Sequence, residues 1–108
     1  MLLAIISDTH DNEANIRLVF NYLASLPVEA VIHCGDISTP ETLALIARQF
    51  TKPIHVVLGN VDLDRDGFAA VVRQFPHVTV HGETGQVKLH DVSLAFTHFP
   101  EAAGALAR

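Results

Sequence analysis

The chain has 108 residues, 49% of them apolar, with 12 acidic against 7 basic side chains and a formal net charge of −5. That length allows one domain at most, and the apolar fraction is enough for a buried core. The basic residues are scattered and no two are adjacent, which excludes the concentrated positive footprint of a general nucleic-acid surface.

Cys34 is the single cysteine, so no intrachain disulfide is available and a reducing compartment fits. The apolar start at residues 1–6 is short, lacks a basic flank and runs directly into Ser7 and Asp8. It therefore reads as neither signal peptide nor membrane span. A cytoplasmic protein with no membrane partner is the expectation.

In chain order, residues 2–6, 30–33 and 54–58 are continuous apolar or β-branched runs, the pattern of strands buried on both faces. Between them Ile16, Val19, Phe20, Leu23 and Leu26 recur at helical spacing, as do Leu43, Ile46, Ala47 and Phe50. Phe68, Val71, Val72 and Phe75 form a third stripe. Asn12 suits a cap for the first helix, and Thr39 before Pro40 and Glu41 suits the start of the second. Pro27 and Pro53 end the first two helices. This βαβαβα order predicts an α/β fold that begins as a parallel sheet with right-handed crossovers. Residues 78–80, 86–89 and 92–97 are short strand candidates separated by turn chemistry at residues 83–85 and 90–91, which predicts an antiparallel hairpin or meander. An Ala-rich helix is expected to begin within residues 101–108.

Each early strand is followed at once by polar, acid-bearing sequence: Asp8 and His10, then Gly35 and Asp36, then Gly59, Asn60 and Asp62, and later His98. The carboxyl ends of strands in an open parallel sheet share one edge, where ligands bind. Asp8, His10, Asp36, Asn60, Asp62 and His98 are therefore expected to converge. This set of oxygen and nitrogen donors suits Mn²⁺, Fe²⁺, Ni²⁺ or Zn²⁺, with Asp36 the natural bridge between two ions. The remaining histidines read differently. His33 and His55 fall in or beside apolar strands and read as packed core, whereas His77, His81 and His90 lie near turns and read as solvated.

The four blocks Asp8-x-His10, Gly35-Asp36, Gly59-Asn60-x-Asp62 and Thr97-His98, in that order on a βαβαβ frame, resemble the calcineurin-like metallophosphoesterases. The resemblance is closest to the small bacterial and archaeal phosphodiesterases of that superfamily and includes the phrase His33-Cys34-Gly35-Asp36. It implies two divalent metal ions, with Mn²⁺ the first expectation and Ni, Fe or Zn the alternatives. Asp8 and His10 would hold the first ion, Asp36 would bridge, and Asn60 and His98 would hold the second. Asn60 would also lie near the phosphate, and Asn60 and Asp62 are the candidate catalytic residues. The implied function is hydrolysis of phosphodiesters or activated phosphate esters by a metal-bridging hydroxide, on a small phosphate-ester substrate.

Three departures from the family pattern shape these expectations. The Gly-His-x-His block that supplies two further ligands is absent, so residues 1–108 are expected to be a single, C-terminally truncated domain with an incomplete sandwich. Its uncovered sheet edge makes a homo-oligomer the expected form. Val61 stands where many relatives carry a leaving-group His, which points to diesters or activated esters. His98 is followed by Phe99 and Pro100, where relatives often read His-Gly-His. The alternative reading is a non-catalytic interaction scaffold on the same fold, resembling the small subunit of the retromer coat.

Overall fold

The computed structural model describes residues 2–59 and 62–98. Asn60, Val61 and the helix expected within residues 101–108 lie outside the described residues.

Four strands, β1 (Leu3–Ile6), β2 (Ala30–His33), β3 (Ile54–Val56) and β4 (Val78–Val80), form one parallel sheet in the order β1-β2-β3-β4. The helices α1 (Glu13–Ala24), α2 (Pro40–Gln49) and α3 (Arg65–Gln74) make the crossovers. Right-handed connections between consecutive neighbours put all three helices on one face, and α1 packs on α2 and α2 on α3. The helices start where side chains satisfy their first amides: Asn12 accepts from the Asn15 N–H, Thr39 from that of Thr42, and Asp64 from that of Gly67.

The main core lies between this helix layer and the sheet. Val31, Ile54, Val56 and Val78 meet Ile16, Phe20, Leu43, Ile46 and Phe68, all buried. Within the predicted stripe of α1, Ile16, Phe20 and Leu23 are buried while Val19 and Leu26 are partly exposed.

Of the three short strands predicted for the second half, the last two form a hairpin, β5 (Thr84–Leu89) and β6 (Val92–Thr97). Residues 78–80 instead extend the parallel sheet, with Ile54 opposite Val78. The apolar face of α3 explains this: Phe68 and Val71 must fold back onto the sheet, which returns the chain beside β3 in the parallel sense. The turn before the hairpin falls at Gly82 and Glu83, so Thr84 and Gly85 already belong to β5. The hairpin closes on His90 and Asp91, both with positive φ, as a two-residue turn matched to strand twist demands.

The hairpin belongs to the opposite face of the sheet, where Phe96 joins Ile32 and Val57 in a second buried cluster. The Phe96 ring stands edge-on to His81 at 5.3 Å and to His55 at 6.5 Å, and the two imidazoles bond to each other at 3.0 Å. Gly85 makes room for this ring, since a β-carbon there would lie 2.5 Å from Phe96 Cε2. Among the described residues no helix is long and apolar enough to cross a membrane.

Two outcomes follow from this packing. Truncating Phe96 to Ala should cost about 3–5 kcal/mol and speed amide exchange in β5 and β6 before the parallel sheet. Uniform exchange across both sheets would show that the hairpin is not a separate unit. The second outcome concerns acid. Burial lowers the pKa of His33 to about 4 and also lowers those of His55 and His81. The unfolded chain therefore protonates first, so this stability is complete above pH 6.5 and is lost as pH falls toward 4. The His33 share is about 3 kcal/mol. Urea titrations at several pH values should show a shallower acid loss in His33→Leu, and identical slopes would remove His33 from the account.

Candidate metal centre

The loop leaving β1 is laced to the loop leaving β2 by backbone bonds, from the Asp8 N–H to the Gly35 carbonyl (2.9 Å) and from the His10 N–H to the Asp36 carbonyl (2.8 Å). Along these loops Asp8 (φ 55°), His10 (φ 47°) and Asp36 (φ 61°) all take the left-handed conformation. Such residues cost of order 1–3 kcal/mol each and persist only where the surroundings over-determine them. Ser38 shares this conformation (φ 87°), and the other three strained positions are the acid and imidazole positions singled out in the sequence, whose ligand atoms all lie within 4.8 Å of one another.

His98 arrives from the end of β6. Its Nδ1 lies 2.9 Å from the Cys34 carbonyl, which can only accept, so Nδ1 carries the proton. Nε2 lies 3.4 Å from Asp36 Oδ2. In the neutral ring this tautomer turns a lone pair, not a proton, toward a carboxylate. Two acceptors facing each other at that distance, with Asp8 and His10 beside them, form a donor set suited to a cation. The Asp8 carboxyl is held below its usual range, first by the Ser7 hydroxyl that donates to Oδ2 at 2.8 Å, and further by Asp36, His98 and His10. Partial burial opposes this shift. Asp8 is thus kept ionised and ready to bind.

Close approach of backbones makes the cluster possible. Gly35 has φ +103°, and a β-carbon there would lie 2.9 Å from Gly59 N and 3.0 Å from His98 Cβ. A β-carbon on Gly59 would collide with Asp36 Oδ1. Asp62 is only 2% exposed, and its carboxylate faces backbone. It accepts from the amides of Asp36 (2.7 Å), Gly59 (2.8 Å) and Ser38 (2.6 Å). The structure thus brings Asp8, His10, Asp36 and His98 together. Asp62 touches the Asp36 amide without turning its carboxylate into the cluster, and Asn60 lies outside the described residues.

His33 has a larger part than the core role its strand position suggests. It is fully buried, yet Nδ1 accepts from the Gly35 N–H (3.1 Å) and Nε2 lies 2.9 Å from Thr9 Oγ1. The available signal was its place two residues before Gly35. Cys34 sits beneath the cluster, half-buried against the hairpin, with its thiol pushed up by burial and by the charge of Asp8. Nor is His77 simply solvated, since its Nε2 lies within 3.0 Å of the Ala47 and Phe50 carbonyls at the end of α2. A cleft of about 630 Å³ opens beside Asp8 and His10, with Asn12, Asn15 and Phe20 in its wall.

Comparison with known proteins bears on the family and the fold. The chain is 28% identical over 101 residues to a phosphodiesterase of Methanocaldococcus jannaschii, a match covering 91% of this chain and 58% of that protein. A solved archaeal phosphodiesterase superposes with a TM-score of 0.88 at 26% identity, covering 99% of this chain and 65% of the other. The chain therefore spans less than two thirds of the length of these relatives. The calcineurin-like phosphoesterase superfamily domain matches residues 1–108, and with the geometry of the edge this makes the chain a member of that superfamily.

Proposed function

We propose that this chain carries the metal centre of a phosphodiesterase, with Asp8 and His10 holding one divalent ion, Asp36 bridging, and Asn60 and His98 holding a second. The observation that carries the reading is the approach of the Asp8, His10 and Asp36 ligand atoms to within 4.8 Å of one another, with His98 Nε2 facing Asp36. Two divalent cations at such a site lower the pKa of a shared water and offset charge on the attacking and leaving oxygens of a phosphoryl group. Mn²⁺ is the ion we assign first, because the proposed donor set is oxygen and nitrogen with no thiolate. The setting is cytoplasmic, consistent with a single reduced cysteine. Ile5, which is 68% exposed on the sheet, supports self-association.

The residues divide the work. Asp8, His10, Asp36 and His98 bind and orient, and Asn60 is assigned to a phosphoryl oxygen. Asp62 acts through the amides it holds, fixing Asp36 against Gly59. Val61 offers no proton, so the favoured substrates are phosphodiesters or other esters whose leaving groups depart as stable anions.

Metal analysis after dialysis and hydrolysis of a bis-aryl phosphodiester with Mn²⁺ test the reading together. Asp36→Asn should lower Mn²⁺ affinity by more than the roughly 10–100-fold typical of losing an outer-shell partner, and hydrolysis should fall with it. Equal metal content in the two proteins would remove Asp36 from the centre.

Asp62→Asn separates support from chemistry. If Asp62 braces the loop, the variant should lose about 1–3 kcal/mol from a poorly satisfied buried amide and bind Mn²⁺ about tenfold more weakly. An unchanged affinity with a collapsed kcat would instead make Asp62 a catalytic residue.

A further inference from the structure

We infer that His33 is a positioning residue for the metal centre, a single-tautomer bolt that holds the Asp8–His10 loop against the backbone entering Asp36. The inference rests on the metal centre proposed above and deepens it.

The Gly35 N–H can only donate, so His33 Nδ1, 3.1 Å away, must be the unprotonated nitrogen. In the neutral ring the proton is then on Nε2, which donates to Thr9 Oγ1 at 2.9 Å. Thr9 stands between Asp8 and His10, and Gly35 immediately precedes Asp36. One buried ring therefore reaches from the backbone of one ligand loop to a side chain in the middle of the other. The two backbone bonds already described run between the same loops, as do the exposed side-chain contacts of Ser38 with His10 and Thr39 with Asp11, and His33 adds a fully buried tie beneath their left-handed residues. A residue kept only to fill volume would need neither nitrogen placed. An apolar side chain at position 33 would occupy the space while leaving the Gly35 amide and the Thr9 hydroxyl without this partner.

The test uses four single variants, one double variant and two readouts. His33→Leu keeps bulk and loses both bonds, and Thr9→Val removes the hydroxyl at similar shape. His33→Asn places an oxygen near the Nδ1 position, and His33→Gln reaches toward that of Nε2. Calorimetric titration of the metal-free proteins with Mn²⁺ should show His33→Leu and Thr9→Val each weakened about tenfold. The His33→Leu/Thr9→Val double variant should be little worse than His33→Leu alone, and His33→Asn and His33→Gln should each recover part of the loss. Side-chain ¹⁵N spectra of the wild-type, metal-free protein should show the Nε2–H tautomer and a coupling across the hydrogen bond from the Gly35 amide to Nδ1. Wild-type Mn²⁺ affinity in His33→Leu, or an Nδ1–H tautomer, would overturn the inference. A wild-type protein that takes up no Mn²⁺ would sink the metal centre itself, and the tautomer and coupling would still decide whether His33 ties the loops.

Discussion

The ends of β2 and β3 lie so close that neither Gly35 nor Gly59 has room for a β-carbon, and the rest of the edge depends on that approach. Two strand ends at this distance bring backbone amides into a confined space where they must be paired. Asp62 resolves the problem by accepting from the amides of Asp36, Gly59 and Ser38 at once. The carboxylate that closes the loop after β3 thereby sets the direction of the Asp36 backbone. Asp36 can then point toward Asp8 and His98 without its own amide competing for a partner. A substitution at either glycine would push the loops apart and misalign the acceptors of the proposed centre.

The sheet order distributes these duties economically. With neighbours in chain order and every strand parallel, each βα connection leaves one loop on the same edge. The helices cover one face and carry most of the buried apolar surface, so stability rests on Phe20, Ile46, Phe68 and their neighbours. The second face holds a much smaller cluster around Ile32, Val57 and Phe96. Its purpose is positional: by seating the hairpin it delivers His98 across the carboxyl end of β2. His98 thus depends on a different core from the loops of Asp8, His10 and Asp36, and a weakened hairpin core would displace His98 first.

Much of this was legible in the sequence, and the exceptions share a cause. The first three strands and three helices announce themselves through continuous apolar runs and stripes at helical spacing, and Asn12 and Thr39 cap where their side chains predict. The convergence of Asp8, His10, Asp36 and His98 follows from their places after strands of one parallel sheet. The direction of residues 78–80 was hidden because a three-residue apolar run carries no information about its partner, and only the packing of α3 decides it. Asp62, His33 and His77 were hidden for another reason. Their partners are backbone amides and carbonyls, joined at His33 by the Thr9 hydroxyl, and in most cases lie more than twenty residues away, so the pairing leaves no mark on the local sequence.

The linear order of the edge also has a temporal side. A chain made from its amino end completes the loop bearing Asp8 and His10 first, then that of Asp36, and only much later reaches His98. The separation of Asp36 and His98 is 62 residues, or roughly 3–12 s of synthesis at ordinary rates of about 5–20 residues per second. For that interval the parallel βα units can begin to pack, because each needs only its predecessor, while Asp8 and Asp36 face each other without the imidazole that later approaches them. Any cation captured in those seconds would be held by carboxylates and His10 alone. In the proposed centre the last hairpin to form would thus add the final imidazole, after the acidic half of the site has already assembled.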